Sequence, residues 1–259
     1  MNRLLSAALA ACFAVAHAAM ASGSYVFIPS FQPGPYQLNL EVGSYKNIYK
    51  VAILSGIGRN FHLVYSKSFF PSESTVDISA WGLDDIIRDT LHTYLGTRFT
   101  FVDVPYDTAK LGQMGSRFWH SSQLTEFLKT IPNQDIDAFI VLLPNTQGAV
   151  ELEQRTDRPM LRVLYEMDVI DAHTHKVISR ADAHVQFLKD YHPILPSIII
   201  SDEYTLDAKV TLSPEKLEKL KGFTTRVLKS SLIDTIRALQ FGVPLPPVAD
   251  PSLRPTPLP

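Results

Sequence analysis

Ile136-Asp137-Ala138-Phe139-Ile140-Val141-Leu142-Leu143 is the stretch on which the fold turns. Apart from Asp137 it is an apolar run of strand length, without the strict alternation of a half-solvated strand. Such a segment reads as a central strand covered on both faces. It follows a helical segment, Gln123 to Ile131, which Ser121 and Ser122 introduce and Pro132 closes.

Upstream, Ile48 to Leu54 is β-rich and almost entirely apolar, and reads as a second buried strand. Gly56-Ile57-Gly58-Arg59-Asn60 makes a turn and Phe61 to Tyr65 is again strand-like, so the expectation is a hairpin. Ile78 to Leu95 carries Leu83, Ile86, Ile87, Thr90, Leu91, Tyr94 and Leu95 at helical spacing. Ser79 is its expected cap, Asp84 and Asp85 suit its early turns, and Gly96 its end. Arg98 to Val104 alternates like a strand.

Downstream, Met160 to Leu188 reads as a long antiparallel hairpin turning around Asp171 to His175. Leu161, Val163, Tyr165, Met167 and Val169 share one face of its first strand, and Val177, Ala181, Ala183, Val185 and Phe187 one face of its second. Residues 192–212 are irregular, with a short strand at Ile198 to Ile200. Ser213-Pro214-Glu215 is a strong helix start: a capping serine, a proline at the first position and an acid near the positive end. Leu217, Leu220, Phe223, Val227, Leu228, Ile233, Ile236 and Leu239 then form a buried stripe that Gly242 terminates. The resulting class is α/β (α+β): one mixed, largely antiparallel sheet with a long C-terminal hairpin, packed by about three helices.

The ends of the chain read differently from its middle. Met1 to Ala21 has the layout of a secretory signal peptide: Arg3, an apolar run from Leu4 to Ala16, and small-residue triplets at Ala16-His17-Ala18 and Ala19-Met20-Ala21. Leu9-Ala10-Ala11-Cys12 also fits a lipobox, in which the cysteine would be acylated and would hold the protein to a membrane. Residues 22–46 read as an extended arm, 47–241 as a single domain, and 242–259 as a flexible tail holding 7 of the chain's 18 prolines.

Charge and cysteine usage exclude several classes. The formal net charge is −2 and no Lys/Arg block occurs, so nothing favours nucleic acid or an anionic membrane as a partner. Cleavage at either triplet removes Cys12, the only cysteine, leaving no disulfide, thiolate metal site or cysteine nucleophile. None of the asparagines begins a glycosylation sequon, which favours a bacterial periplasm over a eukaryotic secretory route.

The densest polar cluster is Asp168, Asp171, His173 and His175. Carboxylate and imidazole suit zinc, nickel or copper, so Asp171, His173 and His175 are the candidate metal ligands; the competing reading is a solvated hairpin tip. His184 lies nine extended residues beyond His175, too far to complete such a site. Gly56-Ile57-Gly58 lacks the third glycine and following helix of a dinucleotide fingerprint. Ser213-Pro214-Glu215-Lys216 matches Ser-X-X-Lys, but without the companion motifs of penicillin-recognising enzymes it reads as a helix cap. Trp81, Trp119 and His120 suit either a pocket or core packing.

Val51-Ala52-Ile53-Leu54-Ser55-Gly56-Ile57-Gly58, followed by Ile78 to Asp85 opening a helix, resembles a group of exported proteobacterial proteins over about residues 48–105. That resemblance implies no activity and transfers no site residues. The order of elements also resembles small periplasmic α/β domains of envelope-assembly proteins, such as those of curli secretion and of peptidoglycan-synthase activators, in layout rather than in motif. The expectation is therefore a non-catalytic periplasmic binding or envelope-assembly protein with no catalytic residues and no cofactor. Its partners would be cell-envelope proteins, with membrane attachment only through Cys12. The alternative is a periplasmic hydrolase using carboxylate and histidine residues, with or without metal.

Overall fold

The computed structural model describes residues 27–28, 44–66, 71–114, 121–132, 135–144, 148–154, 159–182, 197–200, 202–206 and 209–243. The expected signal segment and the proline-rich tail from 244 onward lie outside these residues, as do most of the arm, Trp119, His120 and His184. In chain order the strands are β1 (Phe27–Ile28), β2 (Lys50–Ser55), β3 (Asn60–Tyr65), β4 (Ser72–Asp77), β5 (Thr100–Phe101), β6 (Ala138–Pro144), β7 (Val150–Gln154), β8 (Met160–Val163), β9 (Tyr165–Asp171), β10 (Val177–Asp182) and β11 (Ser197–Ile199). The helices are α1 (Leu83–Leu95), α2 (Thr108–Gly112), α3 (Ser121–Lys129) and α4 (Pro214–Leu239). The fold is a mixed α+β arrangement with one long C-terminal helix.

The strands form two sheets rather than one, in the orders β1-β11-β8-β7-β3-β4 and β10-β9-β6-β2-β5. The two orders match at their centres. β8, β7 and β3 lie side by side in the first sheet, and their chain neighbours β9, β6 and β2 lie side by side in the second. A three-stranded ribbon therefore runs through both sheets and bends where one passes into the other. Hydrogen bonds follow it around the bend: the Gly56 N–H donates to the Leu142 carbonyl at 3.0 Å, and the Leu164 N–H to the Ala149 carbonyl at 2.6 Å.

This bend overturns the first expected hairpin and shortens the second, whose tip and antiparallel pairing stand as β9 and β10. β2 and β3 do not pair; β2 is parallel to β5 and β6, whereas β3 is parallel to β7 and antiparallel to β4. Gly56 to Arg59 turns a corner between sheets and does not reverse the chain. Likewise, the strand expected from Met160 onward breaks at Leu164, with β8 pairing β7 and β11 while only β9 pairs β10. Alternation fails to reveal such a corner because the buried face is continuous across it. Leu161, Val163, Tyr165, Met167 and Val169 all enter the same apolar cluster.

Layering follows from the period of two. In β6, Ala138, Ile140 and Leu142 face a cluster with α1 and α4, while Phe139, Val141 and Leu143 face a second cluster with Leu111 and the apolar residues of α3. All seven β6 positions are buried, as the apolar run requires. The first sheet contributes Phe61, Leu63, Val150, Leu152, Leu161 and Val163 to the first cluster, so α4 fills the hollow inside the bend. The C-terminal half of α4 is accordingly buried almost all round, and Ser231 and Thr235 there bond the buried Tyr165 hydroxyl at 3.0 and 2.9 Å.

Helix ends differ in detail from expectation. Ser79 starts a 3-10 turn, and the cap of α1 is Gly82 at φ 67°, in the left-handed region, with no side-chain cap. Ser213 caps α4 as expected, its Oγ accepting from the Lys216 N–H at 3.4 Å, with Pro214 in the first turn. The ordered body also begins before Asn47, since Tyr45 is buried and bonds Ser179 Oγ and the Leu239 carbonyl.

Gly222 sits exposed within α4, and a Cβ built there meets nothing within 4 Å. Gly222→Ala should raise the unfolding free energy by about 0.5–1 kcal/mol through lower unfolded-state entropy. Urea denaturation should show a higher midpoint at unchanged slope; a lower midpoint would contradict the plain helical role.

Candidate functional site

Open α/β sheets bind ligands beyond the carboxyl ends of their parallel strands, where successive connections leave in opposite directions. Here that position lies beyond β2 and β6. β2 leads through β3, β4 and α1 to β5 on one side, and β5 leads through α2 and α3 to β6 on the other. The bend in the ribbon fills this position with the chain's own backbone. A Cβ at Gly56 would lie 2.7 Å from the Gly112 nitrogen, so α2 closes directly on the corner.

Side chains complete the seal. Ser55, only 2% exposed, donates from Oγ to Asp84 Oδ1 at 2.6 Å, and its N–H donates to the Tyr106 hydroxyl at 3.0 Å. Burial pushes the Asp84 carboxyl above the usual carboxylate range, against the lowering effect of hydrogen bonds from Ser55 and the Gly58 backbone. A Cβ at Gly58 would lie 2.5 Å from Asp84 Oδ2, so this glycine makes room for the carboxylate rather than for a ligand. The Ser55–Asp84 contact is a brace inside the corner, with its hydroxyl out of reach of a substrate. Outside it an open crevice of about 350 Å³ remains, lined by Gly58, Arg59, Ser79, Gly82, Leu83, Asp84, Asp85 and Thr108.

Two further sets of charges converge on sheet faces away from the main core. Arg180 on β10 makes a two-point contact with Asp168 on β9, at 2.6 and 2.7 Å, and reaches Glu166 at 3.2 Å. Both carboxylates are 1% exposed. On the first sheet, Arg162 pairs with Glu153 and lies 3.5 Å from Glu151, beside the buried His62. Each set joins acids to a guanidinium and so satisfies buried charge internally, which is what burial demands. Sequence spacing did not single out these pairings, because they join different strands.

The expected candidates fall as follows. Asp171 Oδ1 accepts from the His173 N–H at 3.0 Å, the Thr174 N–H at 2.7 Å and the Thr174 hydroxyl at 2.9 Å, while His175 takes φ 56°. Burial acts to raise the Asp171 pKa, but the bonds from Thr174 and His173 outweigh it and the carboxyl is held low. This is an Asx-type turn at the hairpin tip. Asp168 points into the Arg180 pair and not toward this tip. Among the described residues no group of three or more His, Cys, Asp or Glu side chains is placed to hold a metal ion. Trp81 packs into the core against Phe61, ring centroids 5.6 Å apart. Lys216 Nζ bonds the Glu203 carbonyl, leaving Ser213 in its capping role.

A broader concavity than this crevice lies on the other side of α2. A groove of about 570 Å³ runs between α2 and α3, within the range of ligand-binding pockets. Met114 and Phe127, both nearly buried, form its floor; Lys110 and Gln113 line one side, and Ser122, Gln123, Glu126 and Thr130 the other. The Lys110 ammonium stands 6.0 Å from the centre of the Phe127 ring. Sequence periodicity located α3 but not α2, which spans only Thr108–Gly112. The available signal was Asp107, whose side chain caps α2 by accepting from the Lys110 N–H at 2.9 Å.

Two outcomes follow from this geometry. Arg180→Met should destabilise the protein by about 3–5 kcal/mol, because it leaves Asp168 charged and buried; a loss below about 1 kcal/mol would mean the pair is solvated. Gly58→Ala should cost about 1–3 kcal/mol by displacing the Asp84 carboxylate. Combined with Asp84→Ala, the loss should be well below the sum of the single losses, since the clash is then gone. Denaturation of all four proteins measures this coupling, and strict additivity would refute the contact.

No known protein family, curated protein or solved structure matches this chain.

Proposed function

We propose that this chain is a non-catalytic binding protein of the cell envelope, and that the groove between α2 and α3 receives a segment of a partner protein. The observation that carries this reading is the lining of the groove. An apolar floor of Met114 and Phe127 suits burial of one aliphatic or aromatic anchor, and the amide and hydroxyl groups of Gln113, Gln123, Ser122 and Thr130 suit a peptide backbone. Lys110 on one wall and Glu126 on the other supply opposite charges that would set the direction of a bound segment.

Two other features support it. The position where α/β sheets ordinarily hold small ligands is filled by the corner, and the buried acid–base clusters described above are occupied with one another. The export-type layout of Met1 to Ala21 supports the location. No helix among the described residues is long and apolar enough to cross a membrane. The Leu9-Ala10-Ala11-Cys12 lipobox offers attachment through an acylated Cys12.

Mass spectrometry of the mature N-terminus tests the address. A start at Ala19 or Ser22 means a released protein and an acylated Cys12 a tethered one, whereas retained Met1 refutes export. A photo-crosslinking residue placed at Gln123 in living cells tests the groove, with the exposed Lys219 on α4 as control. A discrete adduct from position 123, absent at 219 and weakened by Glu126→Arg, is the expected result. No adduct at 123, or turnover of an ester, phosphate or peptide substrate that groove substitutions abolish, would overturn the reading.

A further inference from the structure

His62 lies on β3, the strand between β4 and β7. Its side chain points to the face of the first sheet opposite the apolar cluster, where it is 5% exposed. One ring nitrogen faces each neighbouring strand: Nε2 is 3.3 Å from Glu73 Oε2 on β4, and Nδ1 is 3.4 Å from Glu151 Oε2 on β7. A neutral imidazole carries one N–H only, so it would turn a lone pair toward one of these carboxylates; an imidazolium offers an N–H to both. We propose that His62 is a proton-operated clamp, which in its protonated form ties β4 and β7 to β3 and releases that tie when the proton leaves.

The surrounding charges favour the protonated form. Glu73, Glu151 and Glu153 supply three carboxylates on this face, while the Arg162 guanidinium on β8 is engaged with Glu151 and Glu153, and Arg59 acts on Asp77. Asp77, on the same face of β4, is held by the Ser79 N–H. Helices α1 and α4 pack on the opposite face and do not meet the ring. Burial, the largest single influence, acts to lower the His62 pKa; the hydrogen bonding and charge of Glu151 and Glu73 together outweigh it and raise the pKa above the ordinary value.

The sign of the pH dependence follows from linkage. A raised folded-state pKa means a contribution to stability that is complete below the unfolded value of about 6.5 and is lost as pH rises through the folded value. The clamp is therefore closed in acid and opens toward alkaline pH. Release would loosen β4 first, because among the described residues it is an edge strand that pairs with β3 alone.

Urea unfolding of the whole chain, measured between neutral and alkaline pH for the wild type and for His62→Gln, tests this directly. The wild type should lose stability across that window, and the variant should lack that component of the slope; equal slopes would overturn the clamp. Glu73→Gln, at a half-exposed position, keeps the test decisive if His62→Gln does not fold. It should shift the NMR titration midpoint of the His62 ring downward, and an unchanged midpoint would refute the contact with β4. A wild-type midpoint at or below the value of free histidine would overturn the proposal outright.

Discussion

The bend in the three-stranded ribbon is the constraint on which the rest of the structure depends. β2 with β3, β6 with β7, and β9 with β8 each cross from one sheet to the other, and all three must turn together for the pairing to continue. Sheets turn corners where strands bend and backbones approach closely, and glycine permits that approach. Gly56 lies against Gly112, Gly58 against Asp84, and Gly148 against the Asn60 carbonyl, where an added Cβ would stand 2.6 Å away. The bend creates a concave apolar surface, and α4 and α1 fill it.

That arrangement determines where polar groups are tolerated. The faces turned toward α4 and α1 are mainly apolar, with Ser55 bonded to Asp84 and Ser179 to Tyr45, while the opposite faces carry the acid–guanidinium clusters: His62, Glu151, Glu153 and Arg162 on the first sheet, Glu166, Asp168 and Arg180 on the second. Pairing across strands makes burial of these charges tolerable, and it also makes each partner indispensable to the other. Charge networks of this kind add little net stability but penalise wrong registers, since a slip of one residue would place an acid in the apolar cluster. The same bend explains why functional interest moves away from the strand ends. With the corner sealed by Ser55, Asp84 and Tyr106, the groove beside α2 offers a broader concave surface than the crevice outside the corner.

Much of this was legible in the sequence at the level of single elements. Ile136 to Leu143 announced a strand buried on both faces, and β6 is that strand. Ser213-Pro214-Glu215 announced the start of the long helix, and Asp171-Ala172-His173-Thr174-His175 the tip of a real hairpin. The groove was half legible, since α3 shows a clear helical period while α2 is too short to show any. β4, with the sequence Ser72-Glu73-Ser74-Thr75-Val76-Asp77, went unrecognised because its exposed edge position asks for little apolar content.

By itself the sequence determined which residues of the core strands and long helices face inward, where the last helix begins, and that a mixed α+β class results, because these properties depend on neighbours within a few positions along the chain. Only the tertiary structure decided which strands pair, that one ribbon serves two sheets, and that His62, Glu73 and Glu151 meet. A period of two states the face of a strand and says nothing of the strand beside it. Pairing is chosen by how the whole apolar surface closes around α4, and no local pattern contains that information.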